Sequence, residues 1–578
     1  MTAIAPIFVP PHLSAISGCP NGWDWWPQQQ ALVDRVVNSP KKVVLLQAEP
    51  GIGKTIMAWA IIKTMNRRGL VLVHTRQLER QYTRDFSDVM LMEGRRNYTC
   101  NISHRSAEFA PCSIGIACQL KKFGCNYYSA KRRASMAPMS VHNYAYWLSE
   151  TKYNPESMFS SMDVIVCDEA HNIQSVLMES EVIAFEYARC KRMDIGDPPD
   201  NLTEILHWAS QATNVLNAKL DTLIEKAHDE GLPLTLRSRD EAIVDGLDEL
   251  GIDTDFSPTE GQQELIREIR DIDGMLTNLY SVFDIEIDDE GVEWIIDAVT
   301  DKRGVFVRPI FGKRGFKRIL EASRRKVVLM SAYLAPELLI ENLDIPRDDV
   351  EIVEAERAYD RSRSKVYYTP VVRMNYQTTD LEWRRVVKVI DAIIDAYAPK
   401  SGMIHVPSVK LRNAIRALSK HRAKIISYDG ANHPDRQKGA FTKDEAIEQF
   451  KTRKGQRILL GQSISTGVDI PYVPEFNIIV KVPFPPVTDP VTKARMKVDK
   501  AYLPFLTICE IVQAMGRGKR AHDHECDTFI LDRQFGDWFY QANLQHFPNW
   551  FTDNFVRNGW KAKDTIRKSL FRSGVVVR

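Results

Sequence analysis

The chain has 578 residues, and its 77 lysines and arginines against 75 aspartates and glutamates leave a formal net charge of +2. With 44% hydrophobic and 26% charged residues, the composition is that of a folded chain and excludes a disordered or fibrous protein. At roughly 100–200 residues per domain the length predicts about three to five structural units, and without a run of about 18 apolar residues no membrane-spanning helix is expected.

The opening stretch, MTAIAPIFVPPHLS, has no basic region and is broken by prolines, so no secretory leader is expected. The protein is read as cytoplasmic, or nuclear in a eukaryote. A continuous apolar run at 43–46 leads into Ala48, Glu49, Pro50, Gly51, Ile52, Gly53, Lys54 and Thr55, and then into the helical run IMAWAIIKTM. Strand, glycine-bearing turn and helix N-terminus are the context a P-loop requires. Backbone N–H groups of the turn and the helix end face phosphate oxygens, because nothing inside the helix satisfies them. Lys54 adds a charge at the β/γ-phosphates, and the Thr55 hydroxyl is placed to hold Mg²⁺. Ala48 stands where the motif usually has glycine. The alternative, a chance match in a glycine-containing turn, is disfavoured by both flanks.

Runs at 70–73, 164–167 and 327–330 complete a first set of strands buried on both faces, as in parallel α/β sheets. The run at 164–167 ends in Asp168 and Glu169, followed by Ala170 and His171. At the P-loop edge of a sheet, Asp168 would hold Mg²⁺ and Glu169 would polarise the attacking water. Such a pair taken alone is usually a solvated turn; with the P-loop it points to ATP hydrolysis.

Two interruptions divide this first set. Cys100, Cys112, Cys118 and Cys125 cluster in the first, whereas the remaining five of the nine cysteines are scattered. Too few for a disulfide scaffold, the clustered four read as a metal or cluster site. Their spacing, C-x11-C-x5-C-x6-C, lacks the tight pairs of structural zinc sites and matches no common ferredoxin pattern. Zinc and [4Fe–4S] both stay open on spacing. Around them Arg95, Arg96, Arg105, Lys121, Lys122, Lys131, Arg132 and Arg133 interleave with Tyr98, Phe123, Tyr127 and Tyr128. Cations for phosphates and aromatic faces for bases suit a single-strand binding surface, against the alternative of an ordinary solvated face. The second interruption carries 20 acidic residues and only two basic ones, Arg267 and Arg270, between 240 and 301. Leu265, Ile269, Ile272, Leu276 and Leu279 fall at helical spacing within it, so a mostly helical, acidic insertion is expected. The acidic stretch at 284–295 resembles a calcium loop, but its twelfth position is Ile295, so no calcium is expected there.

A second set of runs, at 403–406, 424–427, 457–460, 477–482 and 528–531, predicts a second α/β domain. The amphipathic stretch before its last run ends in Gln513, Ala514, Met515, Gly516, Arg517, Gly518, Lys519 and Arg520. Arg517 and Arg520, three apart, share a helix face and are placed to compensate charge on a γ-phosphate held by the other domain.

P-loop, DEAH and QAMGRGKR resemble helicase superfamily 2. Four further stretches resemble its XPD/DinG branch of iron–sulfur DNA helicases: GRRNYTC at 94–100, VHNYAY at 141–146, PFPPVTDP at 483–490 and DRQF at 532–535. The resemblance covers about 20–540 and implies two RecA-like parallel-sheet domains in one α/β fold. The expected division is a first helicase domain in three parts (1–94, 141–174, 321–362), an iron–sulfur insert (95–140), a helical acidic arch (175–320) and a second helicase domain (363–578). It implies ATP, Mg²⁺ and a [4Fe–4S] cluster on the four cysteines, and Gln29 as the residue that reads adenine. Gly467 and Asp469 match the family's nucleotide-contacting motif. Trp26, Tyr333 and Thr466 replace the family's usual Arg, Thr and Glu.

The implied activity is ATP-dependent 5′→3′ translocation on single-stranded DNA with unwinding of forked or tailed duplex, by a monomeric motor. The acidic arch is suited to dock a basic protein partner. The alternatives are an RNA-directed DEAH helicase and a DNA-binding scaffold whose motor is weakened at Tyr333 and Thr466.

Overall fold

The computed structural model describes residues 12, 15–16, 19–20, 22–26, 28–102, 104–110, 112, 119–153, 157–231, 259–285, 293–298, 301–355, 364–428, 441–462, 470, 474–518 and 524–557. In chain order the first strands are β1 (Val43–Gln47), β2 (Gly69–Val73), β3 (Val89–Met92), β4 (Met139–Asn143) and β5 (Met162–Asp168). Three short strands follow: β6 (Ile183–Glu186), β7 (Trp294–Asp297) and β8 (Gly304–Pro309). The chain then returns with β9 (Ser323–Ser331) and β10 (Val350–Glu354). The second half contributes β11 (Val366–Val372), β12 (Gly402–His405), β13 (Ile425–Ser427), β14 (Ile458–Gly461), β15 (Phe476–Ile479), β16 (Asp527–Asp532) and β17 (Phe555–Val556).

Among the described residues these strands form two seven-stranded sheets, ordered β10-β1-β9-β5-β2-β4-β3 and β13-β14-β12-β15-β16-β11-β17. Every pairing in both is parallel. Helices on both faces keep such sheets dry, which is why their strands read as unbroken apolar runs. In β1, Val44 and Leu46 enter the core on one face, while Val43 and Leu45 enter the core on the other. Two lobes of RecA-like α/β architecture result.

The segment expected to be mostly helical does hold two long helices, Leu202–Asp229 and Glu260–Phe283. The second opens with a capping box in which Thr259 and Gln262 satisfy each other's backbone donors. Leu265, Ile269, Ile272, Leu276 and Leu279 are buried along one face, as their spacing demands. The same segment also carries a small antiparallel sheet, β6-β8-β7, against which the helices pack. Strands of four to six residues at its two ends, far apart in sequence, leave little periodic signal. No helix among the described residues is long and apolar enough to cross a membrane.

Candidate active site

Three neighbouring strands assemble the site. β1, β9 and β5 lie side by side in parallel, so their C-terminal ends bring the loops after Gln47, Ser331 and Asp168 to one sheet edge. The Ala48 N–H donates to the Ser331 carbonyl at 3.0 Å, tying the first loop to the strand beside it. Gly51 and Gly53 have φ of 84° and 82°, a region glycine enters without steric cost. Helix Lys54–Met65 begins immediately after Gly53, so its unsatisfied N–H groups open onto the cavity. The Lys54 Nζ rests near the Ala48 and Glu49 carbonyls, at 3.3 and 3.4 Å, and Gln81 Nε2 donates to Thr55 Oγ1 at 3.4 Å.

The two carboxylates sit in contrasting surroundings. Asp168 is 2% exposed; it accepts the Tyr82 hydroxyl at Oδ2 and the Glu169 N–H at Oδ1, both at 2.9 Å. Burial, with the like charge of Glu169 added, pushes its pKa up to about 6. For Glu169, burial works against the charged form, but the His171 contact and the Lys54 and Arg517 cations prevail and hold its pKa below the usual carboxylate range. Glu169 has a φ of 51°, which is costly for a side chain of its size and belongs to a residue the surroundings over-determine. His171 Nδ1 lies 3.3 Å from Glu169 Oε2 and 2.8 Å from Ser331 Oγ, so the β9 loop and the β5 loop share one imidazole.

The second lobe closes the other side with helix Tyr502–Gly516. Gln513 Nε2 reaches Glu169 Oε2 and His171 Nδ1, each at 3.4 Å, and Arg517 lines the same cavity of about 220 Å³ as Lys54, Thr55 and Asp168. The Gly516 Cα side faces Pro50 so closely that a Cβ would overlap the proline ring. The structure therefore brings together Lys54, Thr55, Asp168, Glu169, Gln513 and Arg517. Arg520, Gly467 and Asp469 lie outside the described residues. A triphosphate cradled by the turn, a hard cation on Thr55 and Asp168, a water beside Glu169 and a γ-phosphate facing Arg517 fit this arrangement chemically.

Gln29 is placed differently from its expected role. It opens helix Gln29–Asn38 with 2% exposure, and its Nε2 donates to the Ile52 carbonyl at 2.6 Å while its Oε1 accepts the Trp26 N–H at 2.7 Å. Sequence reading also missed Tyr82, which orients Asp168, and Asn477, which donates to the Ala514 and Met515 carbonyls at 3.3 Å. Tyr82 belongs to a polar helix, Arg76–Asp85, and gives no signal. Asn477 does give one: a polar residue inside an otherwise apolar strand.

The cysteine segment forms a small unit between β3 and β4. Cys100, Cys112 and Cys125 line one small cavity with Leu120 and Ala107, while Cys118 lies outside the described residues. Among the described residues no three His, Cys, Asp or Glu side chains stand close enough for a single metal ion. Several cations expected to face DNA are internal instead. The Arg95 guanidinium stacks over Tyr127 at 4.6 Å, donates to the Tyr128 hydroxyl at 3.0 Å and approaches Cys112 Sγ at 3.6 Å. Lys131 pairs with Glu150 at 2.7 Å, and Arg132 Nη1 donates to the Lys121 carbonyl at 2.7 Å. Arg96, Arg105, Lys122 and Arg133 remain exposed, beside exposed Phe109 and Phe123.

Residues 23–194 match the family described as Type III restriction enzyme, res subunit, and residues 393–554 match the family described as Helicase C-terminal domain. One match falls on each lobe. No curated protein matches the chain. Among solved structures it is similar to an XPD helicase, at 17% identity over 92% of this chain and 98% of that one, with a TM-score of 0.56. It is also similar to Xpd4 of S. tokodaii, at 15% identity over 92% and 99% with a TM-score of 0.52, and to an apo XPD structure, at 16% over 92% and 99% with a TM-score of 0.51.

Proposed function

We propose that the chain, which has the fold of the XPD helicases and matches a helicase C-terminal family over its second lobe, is an ATP-dependent helicase of superfamily 2 that moves 5′→3′ along single-stranded DNA and opens the duplex ahead of it. The observation that carries the motor reading is the convergence of Lys54, Asp168 and Glu169 from one lobe with Gln513 and Arg517 from the other on a single cavity. In this reading the P-loop N–H groups and Lys54 bind the triphosphate, and Thr55 and Asp168 would hold Mg²⁺, which when bound would supply charge screening at the phosphates. Glu169, kept ionised beside His171, accepts the proton of the attacking water. Arg517 stabilises charge on the γ-phosphoryl from across the cleft. Loss of that phosphoryl removes what Arg517 holds, so the lobes part and the strand bound across them advances.

Exposed Arg96, Arg105, Lys122 and Arg133 beside Phe109 and Phe123 support contact with an unpaired strand at the cysteine unit. Cys100, Cys112 and Cys125, with Cys118 from the sequence, would hold a [4Fe–4S] cluster that staples this unit; the chain's own thiolates and Arg95 fix its shape. The test compares wild type and Lys54→Ala in ATP hydrolysis with single-stranded DNA or RNA and on 5′-tailed and 3′-tailed duplexes. Loss of at least about a hundredfold in turnover is expected for Lys54→Ala, with DNA stimulating more than RNA and only the 5′ tail supporting unwinding. Stimulation by RNA alone would favour the RNA-directed alternative, and binding without unwinding the scaffold.

A further inference from the structure

The base end of the nucleotide cavity is built unlike its phosphate end. A carboxamide reads adenine by turning both its N–H and its C=O to the base edge. Gln29 has turned both inward. Its Nε2 holds the Ile52 carbonyl inside the P-loop, its Oε1 holds the Trp26 N–H, and only 2% of the residue meets solvent. Gly53 makes room for this amide, since a Cβ there would overlap the Gln29 Nε2. The glutamine is thus a brace between the P-loop and the segment leading into helix Gln29–Asn38. Of the four amides that line the cavity, Gln81 serves the phosphate end through Thr55 Oγ1, Gln513 and Asn172 both reach His171, and Gln77 stands on helix Arg76–Asp85. Among the described residues of the leading segment, the one that lines the cavity is Trp26, half-buried, and it offers an aromatic face. An indole stacks on any base, because every base has a π-face.

Resting on the reading of this cavity as the site of ATP hydrolysis, the geometry points to a base-indifferent motor: Gln29 is a positioning residue for the P-loop, Trp26 carries the nucleobase by stacking, and nucleoside triphosphates of any base are substrates.

The experiment measures hydrolysis of ATP, GTP, CTP and UTP by the full chain with single-stranded DNA, for wild type, Gln29→Ala, Trp26→Ala and Trp26→Phe. Wild-type kcat/KM for ATP and GTP is expected to agree within about fivefold. Gln29→Ala should lower both by a common factor of about ten, leaving their ratio unchanged. Trp26→Ala should raise KM about tenfold for every nucleotide with kcat held, and Trp26→Phe should recover most of the loss. An ATP preference of about a hundredfold that Gln29→Ala erases would overturn the proposal, as would an unchanged KM in Trp26→Ala. The wild-type panel decides base indifference even where Gln29→Ala does not fold. Absence of hydrolysis of all four nucleotides, or turnover that survives Lys54→Ala, strikes instead at the site assignment.

Discussion

Asn477 sits in β15 with no exposed surface, between Phe476 and Ile478, and its amide donates to the Ala514 and Met515 carbonyls. The last carbonyls of a helix have no partner inside it, so this one buried amide fixes the end of the helix from which Arg517 emerges. His405, whose pKa burial pushes down to about 3, adjoins it and stays uncharged beside the Arg517 cation. Catalysis by an arginine across a cleft depends on its aim more than on its charge, and the aim is set here by hydrogen bonds that touch no substrate. Asn477→Ala is expected to cost about 1–3 kcal/mol of stability and to lower kcat for ATP about tenfold with KM within about twofold. The distinguishing measurement is the double variant: combined with Arg517→Ala, Asn477→Ala should add little further loss of kcat, because both remove the same interaction. Additive losses would mean that Asn477 supports the fold and not the arginine.

At the scale of elements, the cysteine unit is where the proposed cluster would do most for the fold. Between β3 and β4 it has one helix of substance, Asn126–Met136, whose N-cap is Cys125, and few apolar side chains to bury. A segment of that size gains most of its order from what its ligands hold. With the proposed cluster in place, Cys112→Ser is expected to abolish bound iron and its visible absorbance, and to hasten proteolysis within 95–140. Unwinding should fall by about tenfold or more while DNA-stimulated ATPase falls less than about threefold, because the catalytic loops hang from β1, β5 and β9 and not from this unit. Zinc instead of iron in anaerobically prepared wild type would sink the cluster. The elements differ in how far their sequences reveal them. β1, β2, β5 and β9 are legible because each carries an unbroken apolar run, at 43–46, 70–73, 164–167 and 327–330, that is dry on both faces. β4 is as deeply buried but carries Ser140 and His142, both without exposed surface, so its apolar signal is halved. β10, VEIVE, lies at the sheet edge with only Val353 buried, and β11 includes Pro370 near a register shift. The glycine-bearing turn before Lys54 stands out by its strand and helix flanks, and the Asp168–Glu169 pair only in company with it, whereas the placements of Gln29 and Arg95 depend on where their side chains turn, which spacing does not encode.

Contacts between the lobes are the scale at which the sequence says least, because an arginine on a helix ordinarily reads as a solvated face. Arg495, on helix Pro490–Val498 of the second lobe, has no exposed surface. Its guanidinium donates to the Ile310 carbonyl and to Gln174 Oε1 at 2.9 Å, both from the chain that precedes β9, and lies 4.0 Å from the Phe311 ring and 4.6 Å from the Tyr502 ring. Asp499 pairs with it at 3.4 Å and also accepts the Asn342 amide at 3.3 Å. Ile310 follows β8, where the chain leaves the β6–β8 sheet, and Gln174 stands on helix Ile173–Ser180 just after Asp168 and Glu169. One side chain thus ties the second lobe to the root of the acidic segment and to the catalytic loop. Beside it, Tyr333 packs against Phe505 with ring centroids 5.8 Å apart, an apolar contact across the same seam. A buried cation cannot simply be removed, since its partners are left without it: Arg495→Ala is expected to cost about 2–4 kcal/mol, seen as a lower urea midpoint. Arg495→Lys should not recover it, because an ammonium cannot span the carbonyl, the amide and the two rings as a planar fork does. If this seam carries the strand's position to the Asp168–Glu169 loop, DNA-stimulated ATPase drops more than DNA-free ATPase in both variants. Equal drops in the two rates would make Arg495 a fastener between lobes that move independently of it, with Tyr333 and Phe505 left to carry the coupling.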